Sequence, residues 1–228
     1  MPGTGRILAV LTSHDQLGDT GKETGYYVPE IAHPWEALTA AGYQVELAST
    51  KGGAAPATGY DAEDPIQRRF LADPAVEAAL ADTIPADRVE SERYDAVLYV
   101  GGHGTMWDFP NHPELARISR EVYEAGGVVA AVCHGPAALV GTRLSDGSAL
   151  VAGREVAAFT NSEEAAVGLT EVVPFALQTA LEQEGARHTG AADFEAHVVV
   201  DGRLVTGQNP ASAQPLGEAV VRVLAARD

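Results

Sequence analysis

Short aliphatic runs, separated by glycine, proline and charged residues, recur along this chain. Residues 6–12 form an apolar run bounded by polar residues and read as a central strand. Residues 43–49 alternate and predict a second strand, and residues 94–100 predict a third. The run Val128-Val129-Ala130-Ala131-Val132 has no polar position at all, as expected of a parallel strand buried on both faces. Between strands, the Ala-rich stretch 74–81 predicts a short helix. Residues 113–125 carry apolar residues at helical spacing and end at Gly126-Gly127, so they predict a longer one. Residues 14–24 should be a loop at the carboxyl end of the first strand. Residues 51–73 show no clear period and read as a long surface excursion with at most one short helical turn. Residues 150–159 read as a hairpin or a turn into another strand, followed by a helical region from Thr160 to about Glu184. Residues 197–207 read as a hairpin turning at Asp201-Gly202, and Asn209-Pro210-Ala211-Ser212 opens a final helix.

The length of 228 residues fits one large α/β domain, 1–228, with a sizeable core. The formal net charge of −17 changes the picture of possible partners. Such a surface repels phosphate backbones and argues against nucleic acid. No apolar run reaches membrane-spanning length, and the first residues lack a basic-then-apolar leader pattern, so a membrane is not an expected partner. A single cysteine excludes an internal disulfide and makes a reducing cytoplasm the expected location.

That cysteine is also the strongest chemical signal. Cys133 ends the buried run and is followed by His134-Gly135-Pro136 and then by good helix formers. Pro136 suits a first helical turn, where a missing N–H costs nothing. The chain should therefore turn sharply from strand to helix with Cys133 on the bend, as a nucleophile elbow does. The start of the following helix should favour thiolate over thiol. The loop Gly101-Gly102-His103-Gly104-Thr105 follows the third strand. It lacks both the dinucleotide fingerprint and a P-loop lysine, so nucleotide binding is rejected. Its glycines instead allow backbone N–H groups at Gly102 or His103 to face a substrate oxygen. Trp107-Asp108-Phe109-Pro110 offers an aromatic wall. Glu30 lies among apolar neighbours just before or at the start of a helix, where burial near a thiol would raise its pKa and let it carry a proton. No Cys, His, Asp and Glu set has metal-site spacing in the sequence. His14, His33, His112, His188 and His197 read as ordinary.

Four motifs now stand in order: residues 25–34 with Glu30; Gly101-Gly102-His103-Gly104-Thr105; Ala131-Val132-Cys133-His134-Gly135-Pro136; and residues 201–212. Together they resemble the ThiJ/PfpI superfamily. Within it they are most similar to the heat-shock chaperone-type branch that includes glutathione-independent glyoxalase III enzymes. The resemblance implies a class I glutamine amidotransferase-like, flavodoxin-like three-layer sandwich of mostly parallel sheet. It also implies a homodimer and a cofactor-free conversion of methylglyoxal or glyoxal to the 2-hydroxy acid. Cys133 would be the nucleophile, His134 its neighbour in a Cys-His-acid triad, and Glu30 the acidic residue against the cysteine. The triad acid in this branch follows a Phe-Thr pair. Phe159-Thr160 puts Glu164 in register, with Glu163 adjacent. Residues 196–199 lack the His-x-Glu pair of glutamine amidotransferases, which counts against glutamine hydrolysis. Two other classes stay open: a holdase chaperone using exposed apolar surface around residues 107–110 with a redox-sensitive Cys133, and a cysteine peptidase or amidase.

Overall fold

The computed structural model describes residues 5–227, so residues 1–4 and 228 of the expected 1–228 domain lie outside the described residues. In chain order the strands are β1 (Arg6–Leu11), β2 (Tyr26–Tyr27), β3 (Gln44–Ser49), β4 (Ala57–Thr58), β5 (Ile84–Pro85), β6 (Ala96–Tyr99), β7 (Val128–Val132), β8 (Glu155–Val156), β9 (Arg187–His188), β10 (Val198–Asp201) and β11 (Leu204–Gly207). The helices are α1 (Pro29–Ala40), α2 (Pro65–Ala72), α3 (Pro74–Ala81), α4 (Thr105–Asp108), α5 (Pro113–Glu124), α6 (Asn161–Ala166), α7 (Leu177–Gln183) and α8 (Ala213–Ala225).

A seven-stranded sheet runs in the order β10-β11-β7-β6-β1-β3-β5. Every neighbouring pair is parallel except the β10–β11 hairpin. The period of two along each strand divides its side chains between two apolar layers. Leu8, Val10, Val97, Tyr99, Val129 and Ala131 point to the side of Leu115, Ile118 and Val122 on α5. Ile7, Ala9, Leu98, Ala130 and Val132 point to the side of α1 and α8, where Ile31, Leu38, Leu216 and Val220 pack. The result is a helix–sheet–helix sandwich. The carboxyl ends of β1, β6 and β7 lie side by side, which brings the 101–105 loop next to Cys133.

Three expectations need correction. Residues 51–73 hold the short strand β4 and the two-turn helix α2. Asp64 caps α2 by accepting from the N–H groups of Ile66 and Gln67, Pro65 takes its first position, and Phe70 is buried. Of the two alternatives for residues 150–159, the structure has the turn into another strand, β8, which pairs in parallel with β9. The helical region from 160 to 184 is two helices, α6 and α7, with Gly168 and Pro174 in the gap between them. The elbow leads into a five-residue 3-10 turn, Gly135–Leu139, and not into an α-helix.

Gly135 has no room to be anything else. A Cβ there would lie 2.2 Å from the carbonyl oxygen of Tyr99. Gly135→Ala is therefore expected to cost about 3 kcal/mol, as overpacking against backbone does. In a chain of this size that lowers Tm by roughly 5–10 °C. A thermal melt unchanged from wild type would show that the turn yields.

Candidate active site

Cys133 sits at φ +59, a left-handed conformation that non-glycine residues rarely adopt. Two backbone bonds clamp it there. Its N–H donates to Gly207 O at the end of β11 (2.9 Å), and its C=O accepts from the N–H of Phe159 (2.9 Å). The strained elbow sets the thiol against His134 and Glu30, with Glu164 behind His134.

The first is His134. Its Nδ1 lies 3.3 Å from Cys133 Sγ, and its Nε2 lies 2.7 Å from Glu164 Oε2. Glu164 as a carboxylate only accepts, so the imidazole proton belongs on Nε2 and the Nδ1 lone pair faces the thiol. Burial, with His103 alongside, lowers His134 to a pKa of about 4. At neutral pH it is a free base oriented by a carboxylate.

Glu164 is held from two sides. His103 Nε2 donates to its other oxygen, Oε1, at 2.9 Å, and the His103 and His134 rings stand 4.1 Å apart. Burial pushes the Glu164 carboxyl up, but the hydrogen bonds from His103 and His134 outweigh it and hold the pKa at about 2. Glu163, the adjacent candidate, faces elsewhere. It closes a capping box with Thr160 and accepts from Asn209 Nδ2, Gln208 Nε2 and the N–H of Phe194. Geometry thus puts Glu164, and not Glu163, against His134.

The other neighbour of the thiol is Glu30, in the first turn of α1 and fully buried. Among the described residues, neither of its oxygens finds a hydrogen-bond partner of good geometry. Burial raises its pKa to about 8, with the Cys133 thiol and the Gly101 N–H as the nearby dipoles that oppose the rise. Gly101 makes this approach possible: a Cβ there would lie 2.0 Å from Glu30 Oε2. Burial and the Glu30 charge in turn push the Cys133 thiol well above its ordinary value. The expectation of a thiolate favoured by a helix start is therefore corrected. The resting group is a thiol, because the 3-10 turn is short and the surroundings are apolar and acidic.

Gly102 and His103 lie on the wall of the same cavity of about 400 Å³, which Thr24, Tyr27 and the half-exposed Phe194 also line. The N–H groups of Gly102 and His103 donate to no backbone carbonyl among the described residues, which leaves them available to a substrate oxygen, and the His134 N–H faces the Cys133 sulfur. Among the described residues, no Lys or Arg lines the cavity. His103, Cys133, His134, Glu30, Glu164 and Gly102 thus converge on one place. Tyr27 and Phe194 join the site without a sequence signal, and His103 acts through its side chain as well as its backbone. The imidazole bond to Glu164 had no signal in the spacing. The His103, His134 and Glu164 ligand atoms all lie within 4.8 Å of one another, so these three residues could hold a metal ion. Sequence spacing could not show this cluster, because it forms only in three dimensions.

The expected aromatic wall at residues 107–110 is not an exposed apolar face. Phe109 is completely buried, and Trp107 stacks on His14 at 5.0 Å. A holdase surface there is not supported by this geometry.

Comparison with known proteins agrees with this geometry. Glyoxalase 3 of Candida albicans is 34% identical over 95% of this chain and 97% of its own length. The Saccharomyces cerevisiae protein named glutathione-independent glyoxalase HSP31 is 33% identical over 91% of this chain and 93% of its own. The crystal structure of the Francisella tularensis Rapid Encystment Protein 24 kDa superposes with a TM-score of 0.93 at 35% identity, covering 96% of this chain and 99% of that one. The sequence pattern of the DJ-1/PfpI family matches residues 23–223. The strand-to-turn cysteine, the buried glutamate against it and the matched length lead to one conclusion: this chain belongs to the DJ-1/PfpI family.

Proposed function

We propose that this protein is a glutathione-independent glyoxalase that converts methylglyoxal or glyoxal to the 2-hydroxy acid, with Cys133 as nucleophile. The observation that carries the reading is the thiol set between a neutral, carboxylate-oriented imidazole and a buried glutamate that holds a proton near neutral pH. The names of the similar yeast proteins point to the same chemistry.

His134 Nδ1 takes the thiol proton, and the sulfur attacks the aldehyde carbon to form a hemithioacetal. The N–H groups of Gly102 or His103 and of His134 hold the developing oxyanion. Glu30 removes the hydrogen of the former aldehyde carbon, giving an enediol, and returns the proton to the neighbouring carbon. The product of that transfer is a thioester of the 2-hydroxy acid. Water cleaves it, releasing the acid and restoring the thiol. The sum is substrate plus one water, with no net oxidation. Glu164 orients His134, and His103 orients Glu164.

The direct test is lactate formation from methylglyoxal by the purified protein without glutathione. Absence of lactate would end the proposal and leave the amidase and chaperone readings to be assayed. The same reading carries a homodimer over one domain, which light scattering in solution checks. No helix among the described residues is long and apolar enough to cross a membrane.

The assignment also fixes a pH dependence. With both Cys133 and Glu30 protonated, the pair contains no base. The first proton leaves a pair whose carboxyl sits at about 8. Hence kcat/KM for methylglyoxal should rise about tenfold per pH unit below 8 and level off above it. Initial rates from pH 6 to 9 that stay flat would contradict the role given to Glu30.

A further inference from the structure

The cavity is larger than the small aldehydes require. It encloses about 400 Å³. Methylglyoxal, allowed the roughly 30 Å³ of one liquid water for each heavy atom, fills only about 150 Å³. Part of the cavity wall is an aromatic file. From His134 the next ring is Phe159, its centroid 4.4 Å away, and then Phe194, 6.3 Å from Phe159. Leu17, Tyr27 and Val167 line the same cavity.

Phe194 carries the argument. Its φ is +64, a region that bulky side chains rarely enter. The ring gains little burial in return, since the residue is 46% exposed. Its neighbours hold the strained loop from below. The Phe194 N–H donates to Glu163 Oε1 (2.8 Å), and Ser162 Oγ donates to Asp193 Oδ1 (2.6 Å). The Ala191 N–H donates to Gln208 Oε1 (2.8 Å), and Asn209 Nδ2 donates to Glu195 O (2.7 Å). A fully buried carboxylate, one residue from the one that orients His134, is thus spent on fixing the backbone under a half-exposed ring at the cavity mouth. Neither core packing nor helix capping asks for an aromatic side chain there.

We propose that Phe194 and Phe159 form a subsite for the apolar, above all aryl, substituent of a 2-oxoaldehyde. The inference rests on the glyoxalase reading. The aldehyde carbon lies at Cys133, and the substituent on the neighbouring carbonyl points outward along the ring file. Aromatic contact with Phe194 adds selectivity for an aryl group over a methyl group. The bond-making steps are unchanged.

Two measurements separate this subsite from the reaction. The first is turnover. Wild type should favour phenylglyoxal over methylglyoxal in kcat/KM, and Phe194→Ala should lower that ratio about tenfold, mainly through KM for phenylglyoxal. The second needs no turnover. Cys133 is the chain's only cysteine, so its alkylation by iodoacetamide reports occupancy of the cavity. The non-aldehyde ketone 2-hydroxyacetophenone should protect it at concentrations about tenfold lower than hydroxyacetone does, and Phe194→Ala should erase the difference. Phe194→Leu keeps an apolar side chain of similar size and should lose most of the aryl preference too, which guards against a loop that fails in the alanine variant. Equal protection by the two ketones in wild type, or an aryl preference that survives both substitutions, overturns the subsite. Aryl-selective protection without turnover of either aldehyde supports the subsite and overturns the glyoxalase reading alone.

Discussion

Cys133→Ala is expected to abolish lactate formation from methylglyoxal, with a loss of at least about a thousandfold, and to leave the fold intact. The size of the loss follows from the geometry. No other thiol exists in the chain, so the covalent route has no substitute nucleophile. The bonds that fix the elbow, to Gly207 O and from the N–H of Phe159, are backbone bonds and survive the substitution. Alanine meets the same left-handed strain that cysteine does. It also removes a buried thiol whose ionisation Glu30 opposes. Turnover and a thermal melt on the same sample decide the matter. A variant that still makes lactate at the wild-type rate would remove Cys133 from the chemistry altogether.

Glu30→Gln is expected to lower turnover by at least about a hundredfold and to change how stability depends on pH. The sign follows from proton counting. In the folded protein the carboxyl sits at about 8, against an ordinary 4.5 in the unfolded chain. Between those values the folded state keeps a proton that the unfolded state has lost. Glu30 therefore contributes stability that is fully present below about 4.5 and is lost as pH rises toward 8. At about 1.4 kcal/mol per pH unit, that span amounts to several kcal/mol. Glutamine has no such proton, so its variant should lack this slope and overtake wild type at alkaline pH. Urea titrations at pH 6 and pH 9 measure it. Parallel curves for the two proteins at both pH values would mean that Glu30 is not the buried acid described above.

What the chain reveals before folding depends on whether the signal is local. The elbow is legible because a fully apolar run ends in Cys133-His134-Gly135-Pro136, where Gly135 and Pro136 mark the local turn. The 101–105 loop is legible for the same reason. The choice between Glu163 and Glu164 is not. Both sit in the first turn of α6, and about 100° of helical rotation separates a capping box from a bond to His134. Helix α2 went unread because Ile66, Phe70 and Leu71 are too few to set a period, although Asp64-Pro65 carries a start signal. The roles of His103 and Phe194 depend on partners 61 and 31 residues away, and no spacing rule reaches that far.

The absence of Lys and Arg from the cavity wall bears on direction as well as on entry. A 2-oxoaldehyde is neutral and crosses a negative surface without penalty. In the proposed reaction the 2-hydroxy acid ionises as it forms, beside Glu23 and within a molecule of net charge −17. The field that ignores the substrate repels the product. For the proposed reaction this repulsion favours release of the anion over its retention beside Cys133.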